Sequence, residues 1–251
     1  MRKLSYFREN IANQDEFITF ANERAFFENL KKNSEDHPTC GRSLLSNTSA
    51  QKMANILSMP QLIPLFEKSL SETTSQKEAA ISFVLRVLEE YATYPREELL
   101  SISIRGAAAI LTNGVVTVPY EGISQATIVT DAQGNEYIDL KFSGPIRAAG
   151  GTTMVTIVAI AGFLREKLKV GLYRPTPEEV ERYLSEIDQY VGIIGSRFGT
   201  TPAPITKLVV ESCPVCINGQ ATEREEVKIH KYLPRVSTPR VRGGMAIVIL
   251  D

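Results

Sequence analysis

The chain has no tryptophan, two histidines and three cysteines (Cys40, Cys213, Cys216) among its 251 residues. So few thiols, in odd number, exclude the disulfide-stapled secreted scaffold. Neither histidine stands in a Ser/His/Asp or Cys/His arrangement that would mark a nucleophilic enzyme. Long apolar runs are also missing: the longest, from Met154 to Leu164, falls far short of the roughly 20 residues a membrane span requires. The basic start MRKLSYFREN lacks the apolar stretch of a signal peptide, so a soluble, cytoplasmic protein is expected, without a membrane partner. There is no surplus of charge either, with 28 basic against 29 acidic residues. A near-neutral sum leaves a nucleic-acid partner open, because local clustering decides that question. No internal repeat or low-complexity tract interrupts the sequence.

What is present divides near residue 112. Residues 1–112 read as a helical region. Ala80, Phe83, Val84, Val87, Leu88 and Tyr91 fall at the spacing of a one-sided helix, and QDEFITFANERAFFENLKKN is a second candidate. Pro95 ends the first and opens PREELLSISIRGAAAIL as another helix, with acids in its first turn. After Gly114 the texture changes. VVTVP, ISQATIVT and EYIDLKFS are rich in β-branched residues, and DAQGN between the last two is a hairpin turn. A helix is expected from about Thr152 to Lys169. Another opens at Thr176-Pro177-Glu178-Glu179, a capping box with proline at its first position. The rest reads as loops, GSRFGTTPAPITK and ESCPVCINGQ among them, closing on a strand-like MAIVILD. An apolar strand with nothing after it is expected to have been cut from a longer chain.

Four stretches could carry chemistry. In KFSGPIRAAGGTT the glycines Gly144, Gly150 and Gly151 precede a helix, but no GK[ST] or G-x-G-x-x-G is present. One reading is a phosphate cradle, in which helix N–H groups and Arg147 meet an anion. The other is a tight turn that lets a helix pack on a sheet. VKIHKYLPRVSTPRVR carries Lys228, Lys231, Arg235, Arg240 and Arg242 with no acid, and interleaves His230 and Tyr232. It suits contact with a nucleic-acid backbone, or else forms a solvated loop balanced by the preceding EREE. Cys213-Pro-Val-Cys216 supplies only two zinc ligands and reads first as a pair of idle thiols. Glu178, Glu179, Glu181, Glu186 and Asp188 read as dipole partners and the wet face of one helix, with Asp188 the one placed to turn inward. None of these stretches marks a catalytic or metal site.

Taken in order, NGVVTVPYEGI, EYIDLKFSGPIRAAGGT, PTPEEVERYLSEIDQY, CPVCINGQATEREEV and RVSTPRVRGG resemble the N-terminal region of the large subunit of archaeal family D DNA polymerase. The resemblance runs from about Ile104 to Leu250. It implies an α+β chain: a helical N-terminal region over 1–112, then a KH-like α/β domain over 113–251 with a mixed or antiparallel sheet. It further implies DNA replication as the setting, a DNA-directed DNA polymerase (nucleotidyltransferase) as the parent, and a heterodimer with a small subunit that bears an exonuclease. The magnesium-bound catalytic core lies downstream in that family, so this segment is expected to need no cofactor and to be inactive alone. Its implied role is DNA binding and assembly, gripping template or primer through phosphate contacts. The alternative is a subunit-interface module, a dimerisation or scaffold piece that never touches DNA. The family pattern matches at Gly144, Arg147, Gly150, Gly151 and Thr152, and then at Arg235, Thr238, Arg240, Arg242, Gly243 and Gly244; of these Gly144, Arg147, Gly150, Gly151, Thr152, Arg240 and Arg242 are the implied DNA contacts, with Lys228, Lys231 and Arg235 as electrostatic support. The resemblance tips the glycine loop toward the phosphate reading. Two departures stand out: VGIIGSRFGTTPAP replaces a basic, aromatic stretch, and the second cysteine of CPVC is not typical of the family.

Overall fold

The structure, a computed structural model, describes residues 47–112, 123–144, 151–194 and 201–250. The candidate helix before residue 47, Cys40 and the VVTVP stretch lie outside the described residues. Ser43–Asp251 forms one compact unit. Among the described residues four α-helices come first, α1 Asn47–Leu57, α2 Ile63–Ser71, α3 Gln76–Glu90 and α4 Arg96–Leu111. Ser75 caps α3, its hydroxyl accepting from the Glu78 N–H at 3.2 Å. Gly106 of α4 lies against Phe83 of α3 so closely that an added Cβ would stand 2.1 Å from the ring. Phe83 in turn stacks on Phe66 of α2, with ring centroids 4.4 Å apart. Almost every residue of α4 from Leu99 onward is buried, because this helix packs on α3 and also on the sheet that follows.

Two strands come next, β1 Ile123–Thr130 and β2 Glu136–Phe142, paired antiparallel with Thr130 opposite Glu136. The turn between them is fixed by Asp131. Its carboxylate accepts from the backbone N–H of Gln133 (2.9 Å) and Asn135 (2.8 Å), and Gly134 takes a φ of +86°. The third strand, β3 Cys216–Gly219, lies parallel to β2 on its other side, with Asp139 opposite Cys216. Hence β2 is central, which explains why Tyr137, Ile138, Asp139 and Leu140 are buried in succession rather than in alternation. A parallel neighbour requires a crossover. Here it consists of α5 Gly151–Lys167, α6 Pro177–Ile194 and α7 Ala203–Ser212.

The capping box of α6 forms as its sequence requires: Glu179 N–H donates to Thr176 Oγ1 (3.3 Å), and Thr176 N–H donates to the Glu179 carboxylate (2.9 Å). Two segments differ from expectation. Ala203–Ser212 is a helix, not loop, with Pro204 in its first turn, where the missing N–H costs nothing. Gly243–Leu250 is helix α8, not a strand. Its residues from Gly243 to Ile249 are all buried, among β3, α5, α6 and α7. An apolar run with no wet face has no period to distinguish helix from strand, and full burial by packed neighbours settles it here as a helix. The result is an α+β fold with leading helices and a three-stranded mixed sheet. Among the described residues no helix is long and apolar enough to cross a membrane.

Candidate nucleic-acid interface

The segment between β3 and α8 is irregular yet firmly held. Val227 N–H donates to Pro239 O and Val241 N–H to Glu225 O, pairing its two ends around an antiparallel bridge between Glu226 and Arg240. Helix α6 holds it from beneath through polar side chains, three of them buried. Glu179 receives Arg235 Nε at 2.7 Å, and the guanidinium lies 4.9 Å over the Tyr173 ring. Arg182 donates to Thr238 O at 2.8 Å, and Gln189 to Glu226 O at 3.0 Å. Glu186 receives Arg242 through its backbone N–H (2.6 Å), Nε (3.1 Å) and Nη2 (2.6 Å). Asn218 closes the set from β3. Its Oδ1 accepts from Arg242 Nη1 (2.6 Å) and Ser237 Oγ (2.7 Å), and its Nδ2 donates to Arg235 O (3.0 Å).

Arg182, Glu186 and Arg242 have no exposed side-chain surface. Burial alone would pull the Arg242 guanidinium down, but the Glu186 carboxylate beside it outweighs burial and holds it above its ordinary value. Arg182 goes the other way: burial dominates, and Arg242 nearby adds to the lowering. The expectation that Arg242 meets a phosphate is therefore corrected, since its donors are spent inside the protein. Arg235 is half-buried and likewise turned inward onto Glu179. The wet-face reading of the α6 acids is corrected too: Glu179 and Glu186 turn inward and Asp188 is exposed. Glu179, Tyr183, Glu186 and Tyr190 fall at i, i+4, i+7 and i+11, one face of a helix. That was the available sign that these carboxylates share the face of the core.

The cations left outward are Lys228, Lys231 and Arg240, all exposed. Lys231 is paired with Glu226 at 2.8 Å. The side chains of Lys228 and Arg240 have no ion-pair partner among the described residues. Tyr232, four residues after Lys228, has 78% of its surface exposed. Arg147 and Gly150 lie outside the described residues. Gly144 meets Thr222, whose Cγ2 would be 2.8 Å from an added Cβ, so close packing accounts for this glycine. Gly151 is the buried first residue of α5 and Thr152 the exposed second. Gly243 N–H also donates to Thr222 Oγ1, at 2.8 Å. The glycine loop and the RVRGG segment, far apart in sequence, thus converge on one threonine. Cys216 is buried and Cys213 half-buried, and burial pushes both thiols up, away from the thiolate that binds metal. The described residues contain no group of three or more His, Cys, Asp or Glu side chains placed to hold a metal ion.

The described residues thus form a mixed α+β unit with exposed cations on a loop pinned by α6 and β3. Residues 13–251 match the family model for the N-terminal region of the DNA polymerase II large subunit DP2, and the chain belongs to that family. It is 37% identical over 211 residues to the DNA polymerase II large subunit of Methanococcoides burtonii, an alignment covering 82% of this chain and 18% of that protein. It is 40% identical over 190 residues to that of Methanoculleus marisnigri, covering 73% and 14%. Against that of Archaeoglobus fulgidus it is 41% identical over 162 residues, covering 64% and 14%. The chain thus spans less than a fifth of the length of these relatives.

Proposed function

We propose that this chain serves a replicative DNA polymerase of that family as a DNA-binding and assembly region, holding the phosphate backbone without reading bases. Lys228 and Arg240 are the principal contacts, Lys231 adds charge, and Arg147 and Thr152 of the glycine stretch are proposed as a second contact. Arg235 and Arg242 act one step back, fixing the loop that presents the others. Membership in the family supports this reading. The observation that carries it is a loop held rigid from beneath by Glu179, Arg182, Glu186 and Asn218 while Lys228 and Arg240 point outward without ion-pair partners. Such fixed, exposed cations release counterions when they meet phosphate and lose little entropy in doing so. Polymerisation and its magnesium then belong to other parts of the large subunit. That remainder and an exonuclease-bearing small subunit are the partners, and the cytoplasm is the setting.

The test is fluorescence anisotropy of labelled primer–template DNA with the 251-residue chain across a salt series. Affinity should fall steeply with salt, and Lys228→Ala and Arg240→Ala should each lower the salt slope by about 0.9, the value for one phosphate contact on duplex DNA. Arg147→Ala probes the glycine loop in the same way. A chain that binds no DNA at any salt, and whose mass rises with concentration, would refute the DNA grip and establish the interface module instead.

A further inference from the structure

We infer that Tyr232 is a stacking platform for an unpaired base, so that the DNA engaged at this loop is single-stranded. The inference rests on the phosphate-binding reading above and specifies which form of DNA that surface takes. Tyr232 is the most exposed large apolar side chain among the described residues, at 78%, and Ile229 on the same tip is 43% exposed. A lone exposed aromatic is unremarkable on a surface; this one differs in how it is held. His230, two residues away, takes a left-handed backbone with φ +45° and shares a 2.9 Å hydrogen bond with Glu181 of α6. Lys231, its immediate neighbour, is tied to Glu226. The residues before the tyrosine are thus anchored to α6 and to the start of the same limb, while its ring is left in solvent.

The surroundings supply the rest of a single-strand site. Lys228 lies four residues before the ring. Arg240 sits on the return limb, directly across the bridge from Glu226. Proteins that hold single strands combine cations tracking the backbone with aromatic faces on which bases stack, and every base has such a face. A base-paired duplex keeps its bases stacked on one another and offers the ring nothing comparable. Stacking on a ring face reads no base edge, so the contact is indifferent to sequence.

The test compares a labelled oligo-dT with a blunt duplex of the same length, using the full chain and its Tyr232→Ala, Tyr232→Phe and Lys228→Ala variants. Tyr232→Ala should weaken oligo-dT binding between about 5-fold and about 100-fold. Its salt slope and its duplex affinity should be unchanged. Tyr232→Phe should bind as the parent does, because it keeps the ring. Lys228→Ala should lower the single-strand slope by about 0.7. Because Tyr232 packs on little, the melting temperature of each variant should match the parent. Oligo-dT affinity that Tyr232→Ala leaves intact would overturn the inference while the phosphate reading stands. Equal losses on duplex and single strand would overturn it as well. A Tyr232→Ala chain that sheds self-association instead would assign the tip to contact between copies. Absence of binding to either DNA would remove both readings together.

Discussion

Replacing Glu186 by glutamine changes one atom and one charge, yet it should be the most costly conservative substitution in the described part of the chain. The carboxylate is fully buried and receives four donors from Arg242 and Arg182, between 2.6 and 3.1 Å away. Glutamine occupies the same volume but presents one carbonyl oxygen and an NH₂ that points donors at donors. Two guanidiniums then remain in the core with no anion between them. Breaking a buried ion pair from one side costs about 3–5 kcal/mol, a large share of the roughly 5–15 kcal/mol that holds a typical protein folded. For a chain of this size each kcal/mol moves the melting temperature by about 2–4 °C, so Glu186→Gln should melt about 6–20 °C below the parent. Differential scanning calorimetry, or urea unfolding followed by circular dichroism, measures this directly. Glu181→Gln, on the same helix and facing His230 at the surface, is the control and should cost less than about 1 kcal/mol. The reasoning fails if the two substitutions have equal effects. Replacing Arg182, Glu186 and Arg242 together by apolar residues of similar volume should recover much of the loss, since removing all the charges leaves none stranded.

Two further perturbations have opposite signs or a defined pH dependence. Gly106→Ala drives a methyl into Phe83 and should destabilise by about 1–3 kcal/mol, whereas Gly192→Ala on α6 meets nothing within 4 Å and should stabilise by about 0.5–1 kcal/mol, both read from urea midpoints. Asp139 is buried with Oδ1 unpartnered, and burial raises its carboxyl above the usual range, only partly offset by Lys141. Stability linked to this group is fully present below its unfolded pKa and is lost as pH rises through the raised folded value, so Asp139→Asn should gain on the parent at neutral pH and not in acid. A gain of constant size at every pH would refute that assignment.

Where local chemistry decides a structure, the sequence was sufficient. Thr176 with Glu179 announces a helix start, and Asp131 with Gly134 a hairpin, because each satisfies backbone groups within a few residues of itself. Both form where their residues stand. Where burial decides, it was not. MAIVIL reads as a strand by its β-branched residues, but the neighbouring helices and strands enclose it and make it helix α8. The charged residues divide along the same line. Lys228 and Arg240 were legible as exposed cations; Arg242, two positions further, has the same side chain and the same flanking sequence texture, and is buried. What sends it inward is a carboxylate 56 residues earlier in the chain, a distance no local pattern spans.

That separation also orders the way the chain can come together. The β1–β2 hairpin and the helix pairs before it close over short loops and need nothing from later residues. Glu186 and Arg182 leave the ribosome long before Arg242, with one positive partner between them and the strand β3 not yet made. Burying the carboxylate at that stage would strand an acceptor in a dry interior, so α6 keeps this face wet until residues 216–250 arrive. Strand β3, the Arg242 contact and the apolar α8 then have to dock in one concerted step. Long-range closure of this kind is expected to make folding slow, which stopped-flow refolding measures, and to place the cation-bearing loop on its scaffold only when the interior is complete.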